Sequence, residues 1–188
     1  MKISLGLVAF TLLVVQVACA PANGNNSTTV ADANKIPVPC PDERRSVRLL
    51  RGYSRSAGDH FYTTDANEMF NAINNYGYVD RGYAARIYPN QERYTSPIYR
   101  LWNSQIGDHF YTTNRDEVDD YIYQRHYTFE NTPGFIFSTQ ICESIPMYRL
   151  HNPQQTDHFY TTSAKDRFYY VQNLGYQYEG IIGYVLPV

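Results

Sequence analysis

Asp108-His109-Phe110-Tyr111-Thr112-Thr113 decides the fold, because the same six residues stand at Asp59–Thr64 and again at Asp157–Thr162. The copies are 49 residues apart (59 to 108, 108 to 157), which makes this a repeat protein. Upstream, Leu49-Leu50-Arg51, Ile98-Tyr99-Arg100 and Met147-Tyr148-Arg149 superimpose, followed by Tyr53, Trp102 and His151. Downstream, Asp65, Asn114 and Ser163 align, then Glu68, Glu117 and Asp166, then Tyr78, Tyr127 and Tyr176, and finally Ile87, Ile136 and Val185. The units therefore run over 49–97, 98–146 and 147–188.

Within a unit, the β-prone run Ile98–Trp102 and the strand Asp108–Thr113 flank a polar turn, so they form a hairpin. Alternation places Asp108, Phe110 and Thr112 on one face and His109, Tyr111 and Thr113 on the other. Asp65, Asn114 and Ser163 are N-cap residues, and the acid three positions on makes a capping-box-like pair. Ala66, Met69, Phe70, Ile73 and Tyr76 keep helical apolar spacing. Gly77 and Gly175 fall where a left-handed residue ends a helix, with His126 in the second copy. One or two short strands close the unit. The expected fold is α+β and β-rich, a pseudo-threefold closed arrangement of three ββαβ repeats in a single domain over 47–188, since one unit cannot cover its own apolar face.

Met1–Ala22 has a charged residue at Lys2, an apolar run from Ile3 to Val17, and Ala20-Pro21-Ala22 before the expected cleavage. It is read as a secretory signal peptide and not as an anchor, which needs about 20 apolar residues. Residues 23–46 lack apolar periodicity and are expected to form a flexible tether. That stretch carries overlapping glycosylation acceptors at Asn25 and Asn26. Without the signal, Cys40 and Cys142 remain, an even count that favours a disulfide over a free or intermolecular thiol. A net charge of −2 gives no pull toward nucleic acid or membrane, while 19 tyrosines are an excess suited to half-buried sheets and to sugar or protein contact.

The residues that could carry chemistry come in threes. Asp59-His60, Asp108-His109 and Asp157-His158 would form a three-histidine metal site only if the imidazoles converged. The structural alternative has each Asp accepting backbone hydrogen bonds at its turn and each His bonding a neighbouring strand. No metal or other cofactor is therefore expected. Arg51, Arg100 and Arg149 are candidates to brace carboxylates of a neighbouring repeat, and Glu130 and Glu179 form a partial acid pair that Arg81 interrupts in the first copy. No nucleophile-and-base constellation is present, so the chain is expected not to be an enzyme. Tyr53, Trp102 and His151, beside Asp and the amides Asn103, Asn152, Gln154 and Gln155, match the recipe for stacking and hydrogen-bonding a sugar. The alternative is that these rings serve hairpin packing. The candidate ligand-binding set is Tyr53, Asp59, His60, Trp102, Asp108, His109, His151, Asp157 and His158.

The pattern Tyr-Arg, Gly-Asp-His-Phe-Tyr-Thr-Thr, an acid, then Gly-Tyr-x-Tyr-Glu-Gly-Ile resembles a secreted repeat family of unknown function, over roughly Leu49 to Val188. Members of that family occur in bacteria, fungi and some animals, often beside hydrolase or carbohydrate-active domains. The third copy fits best, the first has Arg81-Gly82 for Glu-Gly, and the second departs at His126 and Asn131. The resemblance implies a secreted accessory module. The expected function is a secreted, extracellular, non-catalytic module that binds carbohydrate, its partner a glycan or extracellular protein. An extracellular structural or matrix protein comes next, and a hydrolase or hydrolase accessory domain third.

Overall fold

A computed structural model describes residues 39–188. The signal peptide reading of Met1–Ala22, the acceptors Asn25 and Asn26, and the tether as far as residue 38 lie outside the described residues. From residue 39 onward the segment expected to be a flexible tether is structured. It holds a single 3-10 turn at Glu43–Arg45 capped by Asp42, and Ser46 is buried. The folded body thus begins before 47, because Cys40 is bonded to Cys142, with their Cα atoms 5.7 Å apart.

The body is β-rich, with three helices and two sheets. The elements run β1 (Val47–Ser54), β2 (Asp59–Thr63), α1 (Ala66–Tyr76), β3 (Tyr78–Ile87), β4 (Thr95–Asn103), β5 (Asp108–Thr112), α2 (Arg115–Arg125), β6 (Thr128–Phe137), β7 (Ile145–Asn152), β8 (Asp157–Thr161), α3 (Ala164–Asn173) and β9 (Gln177–Val185). One antiparallel sheet has the order β2-β1-β3, the other β5-β4-β6-β9-β7-β8. Single bridges at Arg86–Leu186 and Tyr88–Phe135 join them. No helix among the described residues is long and apolar enough to cross a membrane.

The helices begin where the caps predict. Asp65 accepts from the N–H groups of Asn67 and Glu68, Asn114 from Asp116 and Ser163 from Asp166. The expected capping-box return does not form. The N-cap N–H of Asp65 donates instead to the Thr63 hydroxyl, and Glu68 accepts from that same hydroxyl while turning away toward Arg100. At the far ends Gly77, His126 and Gly175 all take left-handed backbone (φ 71°, 62° and 76°).

Strands β2, β5 and β8 each lie at a sheet edge, and every residue in them is buried. Both faces that alternation assigns are covered: Tyr62, Tyr111 and Tyr160 enter one central core, while Phe61, Phe110 and Phe159 each enter a cluster of their own copy. The three strands meet one another through tyrosine side chains. The Tyr62 hydroxyl donates to the Tyr160 carbonyl (2.8 Å) and accepts from its N–H (2.9 Å). The Tyr160 hydroxyl does the same with Tyr111 (2.9 and 2.7 Å), and that of Tyr111 with Tyr62 (2.9 and 2.8 Å). The three rings stand edge to face at 5.3–5.5 Å. Exposed strand edges are a hazard for aggregation, and here phenols occupy backbone groups that would otherwise be open. The rings share the main core with Leu49, Ile98 and Met147 and with Ile87, Ile136 and Val185.

Candidate functional site

Each aspartate of the repeated hexapeptide is fully buried and serves a histidine of a different copy, not its own turn. Asp59 accepts from the backbone N–H of His109 (2.8 Å), its Nδ1 (2.7 Å) and the Tyr78 hydroxyl (2.5 Å). Asp108 receives His158 and Tyr127 in the same way, and Asp157 receives His60 and Tyr176. The aspartates, not the histidines, converge: oxygens of Asp59, Asp108 and Asp157 lie within 4.8 Å of one another. Their lone pairs are already directed at these donors, and each imidazole has spent its Nδ1. The three-histidine arrangement is thus replaced by three Asp–His–Tyr clusters. A second grouping, His151, His158 and Glu179, also has ligand atoms within 4.8 Å, but Arg149 Nε lies 2.8 Å from Glu179 and supplies the positive charge there.

The clusters tune their members. Burial opposes charge on His109, yet Asp59 and Glu130 override it and hold its pKa at about 9, so it is an imidazolium at neutral pH. Burial likewise pushes Asp59 up, and the charge and hydrogen bonds of His109, with Tyr78, bring it below the usual carboxylate range.

Tyr53, Trp102 and His151 lie flat or tilted on His60, His109 and His158, at centroid distances of 4.5, 4.3 and 4.4 Å. All three remain half-buried. Asn103 and Asn152, expected to bind sugar hydroxyls, are buried; their amides donate to the carbonyls of Arg125 and Leu174 and accept from turn N–H groups. They brace loops.

Beside these rings open two cavities, each walled by two copies. The first, about 500 Å3, lies between Phe61, Glu68, Ala72, Tyr76 and Tyr78 of the first copy and Arg100, Trp102, His109 and Glu130 of the second. Ala72 makes room. At the matching positions Tyr121 stacks on Phe110 (3.5 Å) and Tyr170 on Phe159 (4.0 Å). The second cavity, about 550 Å3, lies between Gln155, Phe159, Asp166, Tyr169, Tyr170, Leu174 and Tyr176 of the third copy and Arg51, Tyr53, His60 and Arg81 of the first. Of the nine expected ligand-binding residues, Tyr53, His60, Trp102 and His109 line these cavities, while the aspartates sit behind them.

The arginines brace neighbouring copies at two junctions. Arg100 holds Glu68 (2.5 Å) and Glu130 (2.8 Å), and Arg149 holds Glu117 (2.8 Å) and Glu179 (2.8 Å). Glu130 and Glu179 do not pair with each other; each stays with the arginine and histidine of its own copy. Arg51 departs: it donates to the Arg81 carbonyl (3.1 Å) and pairs with no acid among the described residues.

The model of a domain of unknown function, DUF5648, matches residues 48–186. The chain belongs to this family. The match spans the described body from the start of β1 to the end of β9, so both cavities lie within the DUF5648 region. No curated protein and no solved structure matches the chain.

Proposed function

We propose that this protein is a secreted, non-catalytic module that binds carbohydrate in the clefts between successive copies of its 49-residue unit. We further infer that the three copies close about a pseudo-threefold axis. The carrying observation is the first cavity. An accessible indole, Trp102, stands beside guanidinium, imidazolium and two carboxylates in a cleft of about 500 Å3, a size suited to one or two sugar rings. Indole faces take the C–H face of a pyranose, and the charged groups offer hydrogen bonds to its hydroxyls. Ring closure is supported by the hydrogen bonds, which pass from copy to copy and return from the third to the first.

The non-catalytic reading rests on the acids. Burial raises Glu68, but the Arg100 and Thr63 hydrogen bonds outweigh it; burial raises Glu130, but His109 and Arg100 outweigh that too. Both carboxyls are held below their ordinary range, so neither keeps the proton that a general acid needs near neutral pH. Secretion is supported by the signal-like Met1–Ala22 and by the disulfide, which suits an oxidising compartment.

The test is a glycan array probed with the secreted protein, residues 23–188, and with its Trp102→Ala variant. Saturable binding to one glycan class, lost in the variant, is expected. A blank array from folded, monodisperse protein would overturn the reading. It would favour the matrix alternative, for which Tyr76 (66 % exposed) and Tyr123 (75 % exposed) are accessible cross-linking positions.

A further inference from the structure

We propose that the cleft between the third and first copies holds an anion subsite, which takes the carboxylate or sulfate ester of an acidic saccharide. This rests on the carbohydrate reading above and deepens it by naming the ligand class.

The charge balance between neighbouring copies is broken at this junction. At the other two junctions one arginine faces two carboxylates: Arg100 with Glu68 and Glu130, Arg149 with Glu117 and Glu179. At the third, both partners change. Asp166, one methylene shorter than Glu68 and Glu117, makes no ion pair with Arg51 among the described residues. Arg81 stands at the position of Glu130 and Glu179, so the formal charge there moves by two units. Nε of Arg51 and of Arg149 are both buried without a hydrogen-bond partner, but Arg149 Nε has the Glu179 carboxylate at 2.8 Å, whereas Arg51 has no carboxylate partner among the described residues.

His60 is a third group on this wall whose acidic neighbour is missing. It is only 5 % exposed, its Nδ1 is committed to Asp157 at 2.6 Å, and it lines the same cavity. In the other copies the Nε2 of this histidine faces an acid, His109 with Glu130 at 3.5 Å and His158 with Glu179 at 3.8 Å. At His60 the corresponding position is held by Arg81, and Nε2 meets no carboxylate among the described residues. Asp166 is the remaining carboxylate on the cavity wall, and Asp157 lies behind it, occupied by His60 and Tyr176. A cavity of about 550 Å3 thus carries two guanidiniums and an imidazole without the carboxylates that neutralise them elsewhere. Guanidinium forks are matched to carboxylate and sulfate oxygens. Tyr53, whose ring centroid is 5.7 Å from the Arg81 guanidinium, supplies the adjoining aromatic face.

The test is calorimetric titration of the secreted protein with matched oligosaccharides, one neutral, one bearing uronate and one sulfated, alongside inorganic sulfate. Arg81→Glu and Arg81→Gln are the variants; Arg81 is exposed, so both are expected to fold. The expected result is tighter binding of the acidic sugars, by about tenfold or more from charge-assisted hydrogen bonds, with that preference weakened by salt and by Arg81→Gln and abolished by Arg81→Glu. Neutral and acidic sugars bound alike, or a preference that survives Arg81→Glu, would overturn the anion subsite and leave the carbohydrate reading standing. Binding of inorganic sulfate without any saccharide would overturn the saccharide assignment. No binding of any probe by folded protein would remove both readings.

Discussion

The hydroxyl of Tyr62 satisfies both backbone groups of Tyr160, accepting from its N–H at 2.9 Å and donating to its carbonyl at 2.8 Å. One side-chain oxygen thereby replaces two ladder hydrogen bonds between strands 98 residues apart in sequence. Tyr62→Phe keeps the ring and its packing but leaves a buried N–H and a buried C=O without partners. The expected cost is about 2–6 kcal/mol, from a desolvation penalty of about 1–3 kcal/mol for each of the two unsatisfied groups. Equilibrium denaturation measures it, with Tyr76→Phe, on an exposed ring, as a control expected to be neutral.

The Asp59–His109 pair makes stability depend on pH. His109 has its pKa raised from 6.5 to about 9, so its contribution is fully present below 6.5 and is lost as the pH climbs through 9. Asp59 is depressed, so its contribution is present above the ordinary aspartate value of 3.8 and is lost as pH falls through the folded value. Melting temperature is therefore expected to decline between pH 6.5 and about 9, a slope that His109→Gln flattens. A wild-type melting temperature that stays level across this interval would contradict the assignment of charge.

The Cys40–Cys142 bond spans 102 residues and ties the segment before β1 to the loop before β7. Removing both cysteines restores that freedom to the unfolded chain and is expected to cost about 2–4 kcal/mol. The Cys40→Ala, Cys142→Ala double variant should unfold at lower denaturant with an unchanged sugar profile, because neither residue lines the two clefts.

Much of this was legible in the sequence, where the information is local. The hexapeptide gave β2, β5 and β8; Asp65, Asn114 and Ser163 gave the helix starts; the cysteine count gave the disulfide. What sequence reading missed is carried by contacts between copies. Nothing local says that Asp59 will serve His109, 50 residues on, or that Glu68 will leave its cap for Arg100. Trp102 was legible as an aromatic platform, but Ala72, which opens the cleft beside it, lies in a helix of another copy. Arg81 was visible as a departure from Glu-Gly, and only its place opposite Arg51 and His60 gives that departure a meaning.

Trp102 is the chain's single tryptophan, so it reports on the first cleft alone. The most direct test of cleft binding is to titrate the protein with its best array glycan and follow tryptophan emission beside calorimetry on the same sample. The account predicts a saturable change in emission whose midpoint matches the calorimetric affinity. Calorimetric saturation with unchanged emission would place the sugar outside the first cleft and contradict Trp102 as its platform.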